Sequence, residues 1–205
     1  MANLAIIGGG SWGTALAHVL AQKFDEVRLW CNEPEIAGTI QRTRVNEVFL
    51  PGFRLPDNIA ATSSLETALG GANIVLGVMP SHVARGVYGR MLPLLSPTAN
   101  LVSATKGLES GSLLRISQVM REVAGPTARI AVLTGPTFAR EVAAGRPTAV
   151  VAASEDEVFA QEIQTAFSGP SLRVYASSDP AGAEIGGALK NVIAIGAGIC
   201  DGLGL

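Results

Sequence analysis

The sequence predicts a doubly wound α/β domain on a mainly parallel sheet, followed by the first helix of a second, all-helical unit. Three observations predict it. Short continuous apolar runs alternate with helical stretches, the first run leads into a turn with spaced glycines, and after Tyr175 the composition shifts to a long small-residue segment.

Strands are expected at 4–7, 27–30, 73–78, 100–104, 129–133, 147–153 and 172–177, each continuously apolar as in strands covered on both faces by helices. Between them, helices are expected at 14–22, 113–123 and 155–167. Residues 1–178 thus form the sheet domain and 179–205 the opening helix of the next, with Ser178 or Asp179 as its N-cap and Pro180 in its first turn.

Composition narrows the class. The chain has 205 residues, 48% of them hydrophobic, enough for one substantial core. A net charge of −2, from 15 basic and 17 acidic residues scattered along the chain, leaves no electrostatic footprint for nucleic acid or an anionic membrane. Cys31 and Cys200 are too far apart for a disulfide framework and form no metal cluster with His18 and His82, so a reducing cytoplasm is expected and no metal. The N-terminus lacks a basic region and a full-length apolar run, so no export signal is read. Residues 181–205 reach the length of a bilayer span, but Glu184, Lys190, Asn191 and Asp201 interrupt them, and no span is expected.

In "AIIGGGSWGTALAHVL" Gly8, Gly10 and Gly13 stand at G-x-G-x-x-G spacing between a strand and a helix. Gly8 makes the tight turn, Gly10 lets the backbone approach a pyrophosphate, and Gly13 lets helix and strand pack closely. This is the dinucleotide fingerprint of a Rossmann-type domain. The second strand ends in "LWCNEPE", where either Asn32 or Glu33 is placed to meet the adenosine ribose. Arg42 and Arg44 follow, as ribose-phosphate ligands or as solvated surface residues. The choice between NAD and NADP stays open.

Ligands in this fold bind beyond the carboxyl ends of the strands, which directs attention to three loops. In "GVMPSHVARGV", Ser81 reads either as an N-cap or as a cofactor contact, and His82 as a helix-surface residue or a proton carrier. In "VSATKGLES", Lys106 reads as a solvated turn lysine or as a point charge for phosphate or carboxylate. In "VLTGPTFAREV", Gly135, Pro136 and Thr137 turn into a helix, with Thr137 as its cap or as a ligand contact.

If the last segment is helical, Gly186, Lys190, Ala194 and Ala197 share one stripe that Asp201 continues. Interior glycines cost about 0.8–1 kcal/mol each relative to alanine, so the small-residue face calls for a compensating partner. A lysine on it is either snorkelling along apolar surface or donating a proton to a carbonyl oxygen as hydride reaches the carbon. Burial, or a cation such as Lys106, would tune such an ammonium toward working pH. Asn191 is placed to meet a substrate hydroxyl.

Taken together, "IIGGGSWGTALA", "VMPSHV", "SATKGLE", "TGPTFAREVAAGRPTAV" and "GGALKNVIAIGAGICDG" resemble the bacterial NAD(P)-dependent glycerol-3-phosphate dehydrogenases, in the family's order and from the N-terminus to about Leu205. The resemblance implies reversible reduction of dihydroxyacetone phosphate to sn-glycerol 3-phosphate with NAD or NADP, at the head of phospholipid synthesis. It implies Ser11 and Trp12 as cofactor contacts in the glycine loop and Asn32 at the adenosine ribose. Lys106 falls where cofactor and substrate are held, Gly135 and Thr137 on the substrate side, Ala139 near the cofactor, and Lys190 at the catalytic lysine. The family continues into a full helical domain, so the resemblance implies a chain that lacks that C-terminal domain, binds nucleotide and turns over little alone. A homodimer is allowed for the full-length form. The competing expectations are another two-domain hydroxyacid dehydrogenase and a catalytically silent, redox-sensing nucleotide module.

Overall fold

A computed structural model describes residues 3–205; Met1 and Ala2, the first residues of the expected sheet domain, lie outside the described residues. The elements are β1 (Asn3–Ile7), α1 (Ser11–Leu20), β2 (Glu26–Trp30), α2 (Pro34–Thr43), β3 (Val45–Asn46), β4 (Leu50–Arg54), β5 (Ile59–Thr62), α3 (Leu65–Leu69), β6 (Ile74–Gly77), α4 (Ser81–Met91), β7 (Asn100–Ser103), α5 (Ile116–Ala124), β8 (Ile130–Thr134), α6 (Ala139–Ala143), β9 (Thr148–Ala153), α7 (Glu157–Phe167), β10 (Leu172–Ser177) and α8 (Pro180–Leu203).

Eight strands form one sheet in the order β10-β9-β8-β7-β6-β1-β2-β5, while β3 and β4 pair separately. Every contact in the large sheet is parallel except β8 with β9. Chain order reverses where β1 is flanked by β2 and β6, and that switch point is where a doubly wound sheet opens a crevice. Side chains alternate across the sheet. Leu4 and Ile6 enter the layer completed by Leu16 and Leu20 of α1, Ile40 of α2 and Phe159, Ile163 and Phe167 of α7. Ala5 and Ile7 enter the opposite layer, with Leu65 of α3, Ala84 and Met91 of α4 and Ile116 of α5. Covering both faces explains why the strands read as unbroken apolar runs.

The structure corrects several boundaries. Helix α1 starts at Ser11, three residues before the expected start, because Gly10 already occupies the extended N-cap position. Helix α5 starts at Ile116 and not at 113, because Leu113 has a left-handed φ of 58° and ends a loop. Helix α7 starts at Glu157, where Asp156 accepts a hydrogen bond from the Phe159 amide at 3.0 Å. The β3–β4 hairpin, β5 and α3 were not expected.

Asp179 caps α8 by accepting from the Gly182 amide at 2.8 Å, with Pro180 at the first helical position. Such a cap contributes ~1 kcal/mol. One carboxylate of α8 is buried: Glu184 accepts from Arg115 Nη1 at 2.8 Å, from the Ser117 amide at 2.8 Å and from Ser117 Oγ at 2.5 Å. From Asn191 onward α8 is exposed, including Val192, Ile193, Ile195, Ile199 and Leu203. By length and composition alone, α8 qualifies as a membrane-spanning helix.

Candidate functional site

The glycine turn is shaped by contacts that admit no side chain. Gly8 adopts a φ of +132°, and a Cβ there would strike the Val78 carbonyl oxygen; a Cβ on Gly13 would strike the Gly8 carbonyl oxygen. Gly10 faces open space. Two of the glycines are therefore fixed by packing between β1, α1 and the end of β6, and the third leaves room on the outer side. No side chain caps α1, so its N-terminal amides stay available beside this opening.

Sequence reasoning missed the clasp that holds this turn. Asn46, buried on β3, donates to the Gly9 carbonyl at 2.9 Å and to Thr14 Oγ1 at 2.8 Å, while its own oxygen accepts from the Phe49 amide at 3.1 Å. Ser11 Oγ donates to the Phe49 carbonyl at 2.7 Å. The hairpin thus ties down both sides of the loop. The available signal was the Pro51-Gly52 pair, which falls inside β4 where its register against β3 shifts, and Gly52 there has a φ of +86°.

A cavity of about 650 Å³ opens at the switch point, lined by Gly8, Gly10, Asn32, Glu33, Met79 and His82, with others from the same loops. That size suits a cofactor-scale ligand, for which ~300–1,000 Å³ is usual. Asn32 and Glu33 are exposed at one side, Asn32 Nδ2 lying 3.5 Å from Glu33 Oε1. His82 is exposed on the other. Ser81 is the first helical residue of α4 and caps nothing, because Pro80 holds the N-cap position. Arg44 does not face a ribose phosphate: it is the left-handed end of α2 and donates to the carbonyls of Ile59 and Pro56. Arg42 donates to Thr39 on its own helix.

Lys106, Lys190, Gly135, Thr137 and Ala139 do not line this cavity. Lys106 follows β7, Gly135, Thr137 and Ala139 follow β8, and Lys190 sits on α8. Lys106 Nζ lies 5.7 Å from the centre of the Trp12 ring, a cation–π contact that joins the β7 loop to the glycine turn. Burial of its ammonium, and then the adjacent Lys190 ammonium, hold Lys106 below the usual lysine range. Two lysines distant in sequence are thus brought together. Ala139, Trp12 and Phe53 pack around Ala15, Leu50 and Ala143, which fixes the start of α6 against α1.

The turn after β8 sets the depth of α8. A Cβ on Gly135 would come within 2.8 Å of the Ala149 carbonyl oxygen, and one on Gly187 within 2.6 Å of Thr134 Oγ1. Helix α8 therefore passes close over the end of β8, one turn before Lys190. Thr137 caps no helix: Phe138 holds the N-cap position of α6, and Thr137 Oγ1 is buried with no hydrogen-bond partner among the described residues. Asn191 is exposed. Among the described residues no group of three His, Cys, Asp or Glu side chains could hold a metal.

This geometry has counterparts among known proteins. The family profile for the NAD-dependent glycerol-3-phosphate dehydrogenase N-terminus matches residues 3–160, and the C-terminus profile of the same enzymes matches 179–205. The chain belongs to this family. A relative from Koribacter versatilis, named glycerol-3-phosphate dehydrogenase (NAD(P)+), is 51% identical over all of this chain and 62% of its own length. One from Escherichia coli with the same name is 48% identical over 99% of this chain and 60% of its own. The crystal structure of glycerol-3-phosphate dehydrogenase from Coxiella burnetii superposes with a TM-score of 0.90 at 40% identity, covering 98% of this chain and 62% of that one. The chain thus spans about three fifths of the length of the relatives it matches.

Proposed function

We propose that the chain carries the dinucleotide site and the proton-donating lysine of an NAD(P)-dependent sn-glycerol-3-phosphate dehydrogenase, which interconverts dihydroxyacetone phosphate and sn-glycerol 3-phosphate. The observation that carries this reading is the meeting of Lys106 and Lys190 beside the glycine turn, in a chain of this family. A Cβ would close the turn at Gly8 or Gly13 but not at Gly10, which supports a pyrophosphate held against Gly10 and the first amides of α1. Ser11, Trp12, Asn32 and Ala139 complete the cofactor contacts in this reading. When bound, the nicotinamide supplies or accepts the hydride.

The residues do the rest. Lys190 donates its ammonium proton to the carbonyl oxygen as negative charge develops there, and takes it back in the reverse direction. Lys106 adds a second positive charge, which favours an anionic, phosphorylated substrate and stabilises the forming alkoxide. Gly135 and Thr137 present a turn amide and an unsatisfied hydroxyl from the substrate side. The reading divides the chain after Ser178, makes α8 the first element of a substrate domain and not a membrane span, and carries with it a cytoplasmic, homodimeric enzyme acting in phospholipid-precursor synthesis.

The test combines calorimetric titration of NADH and NADPH into this chain with turnover on dihydroxyacetone phosphate and on hydroxyacids by a chain carrying the family's full C-terminal domain, with and without Lys190→Ala. The expected outcome is a loss of about 10²–10⁴-fold in kcat with nucleotide affinity nearly intact. Unchanged turnover in Lys190→Ala removes the assigned role, and failure to bind either nucleotide removes the cofactor site.

A further inference from the structure

We infer that Glu184 is a positioning residue: with Arg115 and Ser117 it latches α8 to the start of α5 and so holds Lys190 against Lys106. The inference rests on the reading of Lys190 as the proton donor, but its geometry is independent of that reading. Glu184 is 8% exposed, and its two oxygens receive three donors, from the Arg115 guanidinium, the Ser117 amide and the Ser117 hydroxyl. A carboxylate so buried and so fully bonded fixes both the height and the rotation of the helix that bears it.

The latch belongs to the same loop as Lys106. Residues 104–115 leave β7 with Lys106 and return at Arg115, closed on themselves by the Leu108–Arg115 bridge and by the Glu109 amide donating to the Leu114 carbonyl at 2.9 Å. One end of the loop thus bears the first lysine, and the other grips the helix that bears the second. Lys190 lies six residues beyond Glu184, about 9 Å along the helix axis. Between them, Gly187 rests on Thr134 Oγ1 and gives α8 its second fixed point.

Something of this kind is required by charge. Two ammonium groups side by side repel, and α8 from Asn191 onward is exposed, so among the described residues the restraint on Lys190 comes from the turns before it. Around the latch stand Glu184, Arg115 and the Tyr88 hydroxyl of α4 near Glu184; at the pair itself Trp12 lies beneath Lys106, and the charge that acts on Lys106 is Lys190.

The chain has three lysines, Lys23, Lys106 and Lys190, so reductive ¹³C-methylation gives a lysine NMR spectrum of three resolvable sites besides the α-amine. In Glu184→Ala the titration midpoint of Lys106 is expected to rise toward the ordinary lysine value. The sign is decisive, because removing a carboxylate by itself lowers a nearby lysine's pKa; a rise requires Lys106 to lose burial or its cationic neighbour. Glu184→Gln removes the same charge but keeps hydrogen-bonding atoms, and is expected to retain most of the wild-type midpoint. A Lys106 midpoint that stays put or falls in a folded Glu184→Ala protein overturns the latch. If that variant does not fold, Ser117→Ala, which removes one of the three donors and no charge, takes its place with the same two outcomes. Retained turnover in Lys190→Ala together with a raised Lys106 midpoint in Glu184→Ala would sink the proton-donor reading and leave the latch standing.

Discussion

Three glycines of one turn illustrate how much a single residue carries. Gly8 and Gly13 are fixed by backbone atoms a Cβ would strike, and Gly8 also by a φ that L-residues avoid, while Gly10 has nothing within 4 Å. Alanine at the three positions therefore separates folding from binding. Gly8→Ala and Gly13→Ala are expected to lower Tm sharply, since rigid backbone must move. Gly10→Ala is expected to keep the wild-type Tm within a few degrees and to weaken NADH binding at least tenfold, measured by calorimetry. A Gly10→Ala protein that binds as tightly as wild type would mean that the dinucleotide does not use this turn.

Among the elements, the loop from β7 to α5 depends most on paired charges. Arg85 of α4 donates to both oxygens of Glu109, at 2.8 and 2.9 Å, and reaches Glu122 of α5 at 2.8 Å. Hydrogen bonds from Arg85 and then Ser112 hold the Glu109 carboxyl down at about 2, from an ordinary 4.5. Its folded pKa is depressed, so its contribution is fully present above pH about 4.5 and is lost as pH falls toward about 2. The Tm advantage of wild type over Glu109→Gln is expected at neutral pH and to shrink across that window in acid thermal melts. A difference that is constant from pH 6 to pH 2 would show that the charge does not stabilise the loop. The same scale explains the missed hairpin: in "VNEVFLPGFR" Asn46, Glu47 and the Pro51-Gly52 pair interrupt both alternation and any continuous apolar run, and its value lies in the one polar side chain, Asn46, that reaches the glycine turn.

At the scale of the molecule, the sheet separates two apolar layers, and α7 closes one of them. Phe159 and Phe167 are fully buried there, with Phe24 edge-on to Phe167 at 6.1 Å between ring centres. Phe159→Ala is expected to cost about 3–5 kcal/mol in urea unfolding, because the rigid sheet beneath cannot collapse into the space. A cost under about 1 kcal/mol would mean that this layer repacks freely. The sequence by itself determined this architecture, the glycine turn between β1 and α1 and the family, because each is local: apolar runs mark strands covered on both faces, and the glycine spacing follows from a turn that spans six residues. It also named the lysines. Only the tertiary structure decided that Arg44 serves the carbonyls of Pro56 and Ile59, that Asn46 clasps the glycine turn, and that Lys106 meets Lys190 with Glu184 anchoring the helix between. Those are contacts between residues many positions apart; the last of them is set by how far α8 is let down onto β8 and α5, and no local pattern encodes that distance.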